Sequence, residues 1–157
     1  MKESRNKLVV ILEWGTLISA LGLIFTVMLQ IVTRRFFVAI APPWTEEISR
    51  FFFIYTISFG AGLAQRENYF VSMDYFYRKF NDRVRRIIDI ITSSITAVLF
   101  LVMTVYSINF IVLGLEETSP SIGLPMSIAF ASMLIMSGTV FFYIVKQLIH
   151  SIKAELK

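Results

Sequence analysis

The residues best suited to chemistry in this 157-residue chain form one charged cluster, Glu46, Glu47 and Arg50. Residues three and four apart share one face of a helix, so these three side chains can meet. One interpretation is a local ion pair that caps a helix and satisfies the positive end of its dipole. The other is a polar cluster at a membrane edge that contacts another protein, because an arginine there normally needs a partner.

Residue types for other chemistry are missing from the sequence. The chain has no cysteine, which excludes disulfides, thiolate metal sites and cysteine nucleophiles. Its one histidine, His150, follows the last apolar stretch, so the intramembrane ligands of a b-type haem are missing. No phosphate-binding Gly-Lys-Ser loop and no Ser-His-Asp set is present. The sequence therefore predicts a protein that is not an enzyme and binds neither cofactor nor metal.

Four long apolar stretches position the charged cluster: 8–32, 48–64, 87–115 and 124–149. Each reaches or approaches the roughly 20 apolar residues that cross a hydrocarbon core, where the backbone must be helical. At 56% hydrophobic residues, the composition is too apolar for a soluble bundle. The first and third stretches exceed the core thickness and should tilt. We expect an all-α membrane protein, one domain over 1–157, with four long, tilted transmembrane helices at about 8–37, 46–65, 84–116 and 124–152.

The basic residues are sorted by side. Both termini and the connection between helices two and three carry twelve: Lys2, Arg5, Lys7, Arg66, Arg78, Lys79, Arg83, Arg85, Arg86, Lys146, Lys153 and Lys157. The opposite side carries Arg34, Arg35 and Arg50. The positive-inside rule therefore predicts that both termini are cytoplasmic. Aromatic and basic residues within 65–86 predict a short amphipathic segment in the cytoplasmic interface, and its tethering to the bilayer argues against nucleic-acid binding.

Local signals predict how helices two and four begin and how helix two packs. Thr45 is placed to cap helix two, and Pro125 is placed in the first turn of helix four. Small residues four apart, Ser58 with Gly62 and Gly60 with Ala64, allow close approach of a helix from this chain or another. No acidic residue is expected near the membrane midplane, where ion sites and proton relays need one. Alone, the chain should transport nothing, which indicates a subunit.

Several short segments, in order, resemble the small membrane subunit of TRAP transporters, the DctQ type of tripartite ATP-independent periplasmic transporter. They are Trp-Thr-Glu-Glu-Ile-Ser-Arg at 44–50, Gly-Ala at 60–61, Val-Ser-Met-Asp at 71–74 and Ser-Pro-Ser-Ile-Gly-Leu-Pro-Met at 119–126. The chain departs from that family at Phe70, where a histidine is common, and at Ser127, where a tryptophan is common.

The resemblance implies a multi-pass protein of the bacterial inner membrane that belongs to a sodium-coupled, binding-protein-dependent importer of organic acids, such as C4-dicarboxylates or sialic acids. In such importers a large elevator-type subunit binds substrate and sodium. The small, non-catalytic subunit braces the scaffold of the large one and helps dock the periplasmic binding protein; membrane lipids are its other partners. An anchor or assembly subunit of a non-transport complex is the alternative. The residues expected to contact the large subunit or the binding protein are Trp44, Glu46, Glu47, Arg50, Gly60, Gly62, Asp74, Glu116, Glu117 and Pro125.

Overall fold

The computed structural model describes residues 7–36, 43–67 and 82–155 of the chain. These residues form four helices and no β-strand: α1 (Lys7–Phe36), α2 (Trp44–Arg66), α3 (Asp82–Leu113) and α4 (Ser127–Glu155). The predicted all-α class is confirmed for this part of the chain. The amphipathic segment expected between helices two and three, with Asp74 in it, lies outside the described residues.

Three of the four helices are long and apolar enough to cross a membrane. They are α1, the part of α3 from Ile87 onward, and α4 as far as Ile149. The second helix has 23 residues, about 35 Å at 1.5 Å per residue, so length is not what sets it apart. Its charged residues lie in its first two turns and at its last position, and α2 is not among the apolar spans. A membrane crossing by α2 therefore stays a prediction.

The described helices pack in the spatial order α1, α2, α4, α3. The second helix contacts both α1 and α4, and α3 contacts α4. The two helices at the ends of this order, α1 and α3, have no comparable contact with each other, so the four described helices do not form a closed bundle. Both end helices therefore leave long apolar faces uncovered, including Ile18 and Phe25 on α1 and Ile95 and Val102 on α3. Such faces suit contact with lipid or with a protein in the bilayer.

Small residues and larger apolar ones meet in the contacts between the helices. Ala61, Ala97, Val140 and Ile144 form the core cluster where α2, α3 and α4 meet. Three buried serines of these helices each donate from the hydroxyl to a carbonyl oxygen of the same helix: Ser58 to Ile54, Ser107 to Met103 and Ser137 to Met133, all at 2.7 Å. Each hydroxyl is thereby hydrogen-bonded without a partner on another helix. Small serine side chains satisfied in this way allow the helices to approach closely.

Two phenylalanines of α2 pack over two glycines of α1. A Cβ at Gly15 would lie 2.9 Å from the ring of Phe59, and a Cβ at Gly22 would lie 2.5 Å from the ring of Phe52. The glycines are seven residues apart and so are the phenylalanines, which gives one antiparallel register. The same device joins α3 to α4, where a Cβ at Gly114 would lie 2.5 Å from Phe130. A larger residue at these positions would force the aromatic ring to shift, because the ring occupies the space of a side chain.

The structure corrects two expectations at the helix ends. The N-cap of α2 is Pro43, with no side-chain cap hydrogen bond, and Thr45 lies buried within the first turn. Helix α4 begins at Ser127, after Pro125 rather than around it. The physical reason is the connection from α3, in which the Met126 N–H donates to the Glu117 carbonyl at 2.9 Å and the Ser127 N–H to that of Gly114 at 2.9 Å. These bonds hold Pro125 in the turn.

The connection between α3 and α4 is a compact turn. The Ser119 N–H donates to the Leu124 carbonyl at 2.8 Å, and the Gly123 N–H donates to the Ser119 carbonyl at 3.0 Å. Thr118 and Pro125 form an isolated antiparallel bridge. Gly123 has φ of 72°, a left-handed conformation that favours glycine. The backbone bonds of this turn give it one defined conformation at the end of the molecule where α2 begins.

Candidate partner-binding site

Glu46 joins α1 to α2 through two arginines. Its Oε1 accepts a hydrogen bond from Arg50 Nη2 at 2.6 Å, and its Oε2 lies 3.4 Å from Arg34 Nη2. The first pair is the i, i+4 pair expected from the sequence; the second connects the end of α1 with the start of α2. Both guanidinium groups are well exposed, so the pairs contribute at most about 1 kcal/mol each to stability. Their geometry leaves the arginines available to a partner.

Glu47 points to a different part of the molecule. Its Oε2 accepts a hydrogen bond from the backbone N–H of Ser121 at 3.1 Å, in the turn between α3 and α4. Two turns further along α2, the Tyr55 hydroxyl donates to the Ile128 carbonyl at 2.7 Å, in the first turn of α4. The expected sharing of one face by both glutamates and Arg50 is therefore only half realised. Glu46 pairs with the arginines, and Glu47 holds the turn.

Two features place this cluster at the start of α2. Pro43 lacks a backbone N–H and has helical φ and ψ of −63° and −22°, so it suits a helix start. Glu46 and Glu47 then lie in the first turn, where the N-terminal end of the helix dipole stabilises negative charge. The helix start itself thus favours the two carboxylates that reach Arg34 and Ser121.

Other predicted contact residues surround this end of the molecule. Trp44, the first residue of α2, is exposed. Glu116 and Glu117 are exposed in the turn that Glu47 holds, and Pro125 is half-buried in it. We name the set of Arg34, Trp44, Glu46, Glu47, Arg50 and the turn 114–126 the outer polar end. Of the residues predicted from sequence, the structure brings together Trp44, Glu46, Glu47, Arg50, Glu116, Glu117 and Pro125 there.

Gly60 and Gly62 lie away from the outer polar end and face opposite ways. Gly62 is buried, and a Cβ there would lie 2.8 Å from Thr139 Oγ1 and 3.2 Å from Leu12 Cδ1. At Gly60, a Cβ would meet no described atom within 4 Å. The helices that pack against Gly62 are therefore α1 and α4 of this chain. The described part of the chain provides none for Gly60.

Sequence reasoning missed the contacts that cross between distant segments. Arg34, one of the three basic residues counted on the opposite side, pairs with Glu46 across 12 residues of sequence. The Gln65 Nε2 donates to the Gln147 Oε1 at 3.3 Å, in a half-buried contact between α2 and α4. A glutamine toward the end of each helix was the available signal for this pair. No signal in the sequence singled out Ser121, which acts through its backbone N–H.

No group of three His, Cys, Asp or Glu side chains in the described part of the chain could hold a metal ion. At the outer polar end, Arg34 and Arg50 pair with Glu46, and Glu47 accepts a hydrogen bond from a backbone amide.

A family model of the tripartite ATP-independent periplasmic transporters, DctQ component, matches residues 23–154. This match covers the second half of α1 from residue 23 onward, all of α2 and α3, the turn 114–126, and α4 as far as residue 154. The chain belongs to the DctQ family. A comparison with curated protein sequences gave no match.

Membership in the DctQ family decides between the two functions that the sequence left open. The DctQ chain is a component of a tripartite transporter, so an anchor for a non-transport complex is no longer needed to explain it. Its three apolar helices and its family together make it a membrane protein. Its role is therefore that of the small membrane subunit, and the outer polar end belongs to that subunit.

Proposed function

We propose that this DctQ chain is the small, non-catalytic subunit of a sodium-coupled importer of organic acids, of the C4-dicarboxylate or sialic-acid class. It braces the scaffold of a large elevator-type membrane subunit, which binds the substrate and sodium. Its outer polar end helps to dock the periplasmic binding protein. The observation that carries this proposal is the family match over residues 23–154.

The distribution of polar groups supports a bracing role. Ion-coupled carriers gather oxygen ligands inside the membrane, commonly where helices are interrupted. In the described part of this chain, the four helices are continuous, and the buried hydroxyls of Ser58, Ser107 and Ser137 bond to the backbone of their own helices. The helices can therefore serve as rigid elements, while the substrate and sodium sites belong to the larger subunit.

The proposed orientation places both termini in the cytoplasm and the outer polar end in the periplasm, with α2 crossing the membrane beside the other three helices. Single cysteines can test it, because the chain has none of its own. Glu117→Cys should react with a membrane-impermeant maleimide in intact cells, and Ser151→Cys should react only after lysis. Reaction of both from outside would overturn the topology.

Reconstituted uptake tests the function itself. Liposomes that hold the purified chain, the large subunit from the same operon and its binding protein should take up the organic acid when sodium is high outside. Leaving out any one protein, or removing the sodium gradient, should abolish uptake. Robust uptake by the small subunit alone would contradict the bracing role. Undiminished uptake by the large subunit and binding protein without it would contradict its necessity.

A further inference from the structure

Six residues form one stripe along α2 at alternating steps of four and three: Glu46, Arg50, Phe53, Ile57, Gly60 and Ala64. The five steps cover 18 residues, an average of 3.6, which is the period of an α-helix, so the six residues lie along one face that a neighbouring helix can contact. We name these residues the outer stripe. The stripe runs from the outer polar end to the last turns of α2, the length of a helix-to-helix contact.

The middle of the outer stripe is exposed among the described residues, whereas Glu46, Gly60 and Ala64 are half-buried. The side chain of Arg50 is 75% exposed, and Phe53 and Ile57 are 52% and 45% exposed. No described atom lies within 4 Å of a Cβ at Gly60. Gly62, two residues later and about 200° around the helix, packs against α1 and α4. The open part of the outer stripe therefore faces away from the other described helices.

Lipid is a poor partner for the outer stripe. The second helix is not among the apolar spans, and the stripe carries two charged residues in its first two turns. Arg50 shares its carboxylate, Glu46, with Arg34. The segment 34–50 holds three arginines and two glutamates, so it keeps a net positive charge. A charged side chain at this position is best stabilised by a protein that supplies a further carboxylate.

A second copy of the same chain fits less well. Two copies with the same membrane orientation associate about an axis along the membrane normal, and a two-fold axis brings each residue near its own equivalent. The outer stripes would then pack in parallel with Arg50 beside Arg50. Like charges in this position oppose association, whereas a different helix with an acidic residue complements it.

We propose that the outer stripe packs against one transmembrane helix of the large subunit, which places a bulky apolar side chain over Gly60 and a carboxylate beside Arg50. The proposal rests on the function proposed above, because it takes the large subunit as the partner. Gly60 and Ala64 allow the close approach, Phe53 and Ile57 supply apolar contact, and Arg50 sets the register.

Photo-crosslinking in the assembled transporter tests the proposal. The photoreactive residue p-benzoyl-phenylalanine replaces Phe53 in one variant. In a second variant, the control, it replaces Phe25, which is exposed on α1 and lies outside the outer stripe. The Phe53 variant should give an adduct whose mass spectrum shows a peptide from a transmembrane helix of the large subunit. If the large subunit co-purifies but Phe53 gives no adduct with it, or gives one with a second copy of this chain, the proposal is wrong while the proposed function stands.

Matched glycine variants test the close approach at Gly60. Gly60→Leu should lower the amount of co-purified large subunit by about tenfold, the effect of an overpacked contact. Gly138→Leu is the control, because a Cβ at Gly138 also meets no described atom within 4 Å. Loss of association for Gly138→Leu but not for Gly60→Leu would overturn the assignment of the outer stripe. If the large subunit does not co-purify with the wild-type chain at all, the proposed function itself fails.

Discussion

The two faces of α2 are built from the same kinds of residue but differ in what covers them. On the inner face, Ala61 belongs to the core cluster and Gly62 packs against Thr139 and Leu12. On the outer stripe, Gly60 is open and Phe53 is half exposed. Small residues in a membrane helix mark places of close approach, but they do not show which chain approaches. The structure distinguishes two glycines only two residues apart: this chain covers Gly62, and no described residue covers Gly60.

The largest effect should come from filling the inner face. Gly62→Ala places a Cβ 2.8 Å from Thr139 Oγ1, whose hydroxyl already bonds to the Ile135 carbonyl at 2.6 Å. We expect about 1–3 kcal/mol of destabilisation from this overpacking. It should appear as a lower apparent Tm of the purified chain in detergent, followed by the fluorescence of Trp14 and Trp44.

Gly60→Ala is the matched control for that substitution. It should leave the Tm of the isolated chain unchanged or raise it slightly, because alanine is favoured over glycine in helices by up to about 1 kcal/mol. Equal destabilisation by the two variants would contradict the assignment of different faces to Gly60 and Gly62.

A second expected effect concerns the contact between α1 and α2. Gly22→Ala should lower the apparent Tm, because the new Cβ would lie 2.5 Å from the Phe52 ring. The expected loss, about 1–2 kcal/mol, is smaller than the largest loss at Gly62 because an aromatic side chain can shift. Adding Phe52→Leu should recover part of it. Additive losses in this double-mutant cycle would show that the two positions do not touch.

The charged residues of the outer stripe should affect assembly more than the fold. Arg50→Ala should change the stability of the isolated chain by less than about 1 kcal/mol, since its ion pair is exposed. We expect it to reduce co-purification of the large subunit, or uptake, by several-fold. Arg50→Lys keeps the charge and should restore part of the loss. Wild-type assembly and uptake by Arg50→Ala would favour a local ion pair without a partner.

The smallest effect should come from Glu47→Gln. The amide side chain keeps an oxygen that can accept from the Ser121 N–H, and the lost charge weakens this one bond and the interaction with the helix dipole. We expect the stability of the isolated chain to fall by about 0.5–1 kcal/mol. Hydrogen exchange of the Ser121 amide should become faster. Unchanged exchange would mean that the backbone bonds of the turn hold it without Glu47.

Much of the fold could be predicted from the sequence, because the apolar stretches and the breaks between them are local signals. The prolines at 42 and 43 come directly before the first residue of α2. In lipid, a long apolar segment must be helical, because its backbone groups can then bond to one another. The order in which the helices pack could not be predicted. It depends on steric fit, such as Phe52 over Gly22, which leaves no periodic signal in one sequence.

The outer polar end was predicted only in part for a similar reason. The Glu46–Arg50 pair follows from helical spacing, which is fixed by geometry. The contacts of Glu46 with Arg34 and of Glu47 with Ser121 join segments 12 and 74 residues apart. Only the packing of α2 against α1 and α4 brings those segments together, so they could not be predicted without the helix order.

The central claim is that the two faces of α2 serve different chains, and one spectroscopic measurement tests it directly. A nitroxide on Ile57→Cys can be the sole spin label, because the chain has no cysteine. Its collision rate with oxygen should be high in the isolated subunit, where Ile57 is 45% exposed, and should fall to that of a buried site in the assembled transporter. An oxygen collision rate that does not change on assembly would contradict the claim.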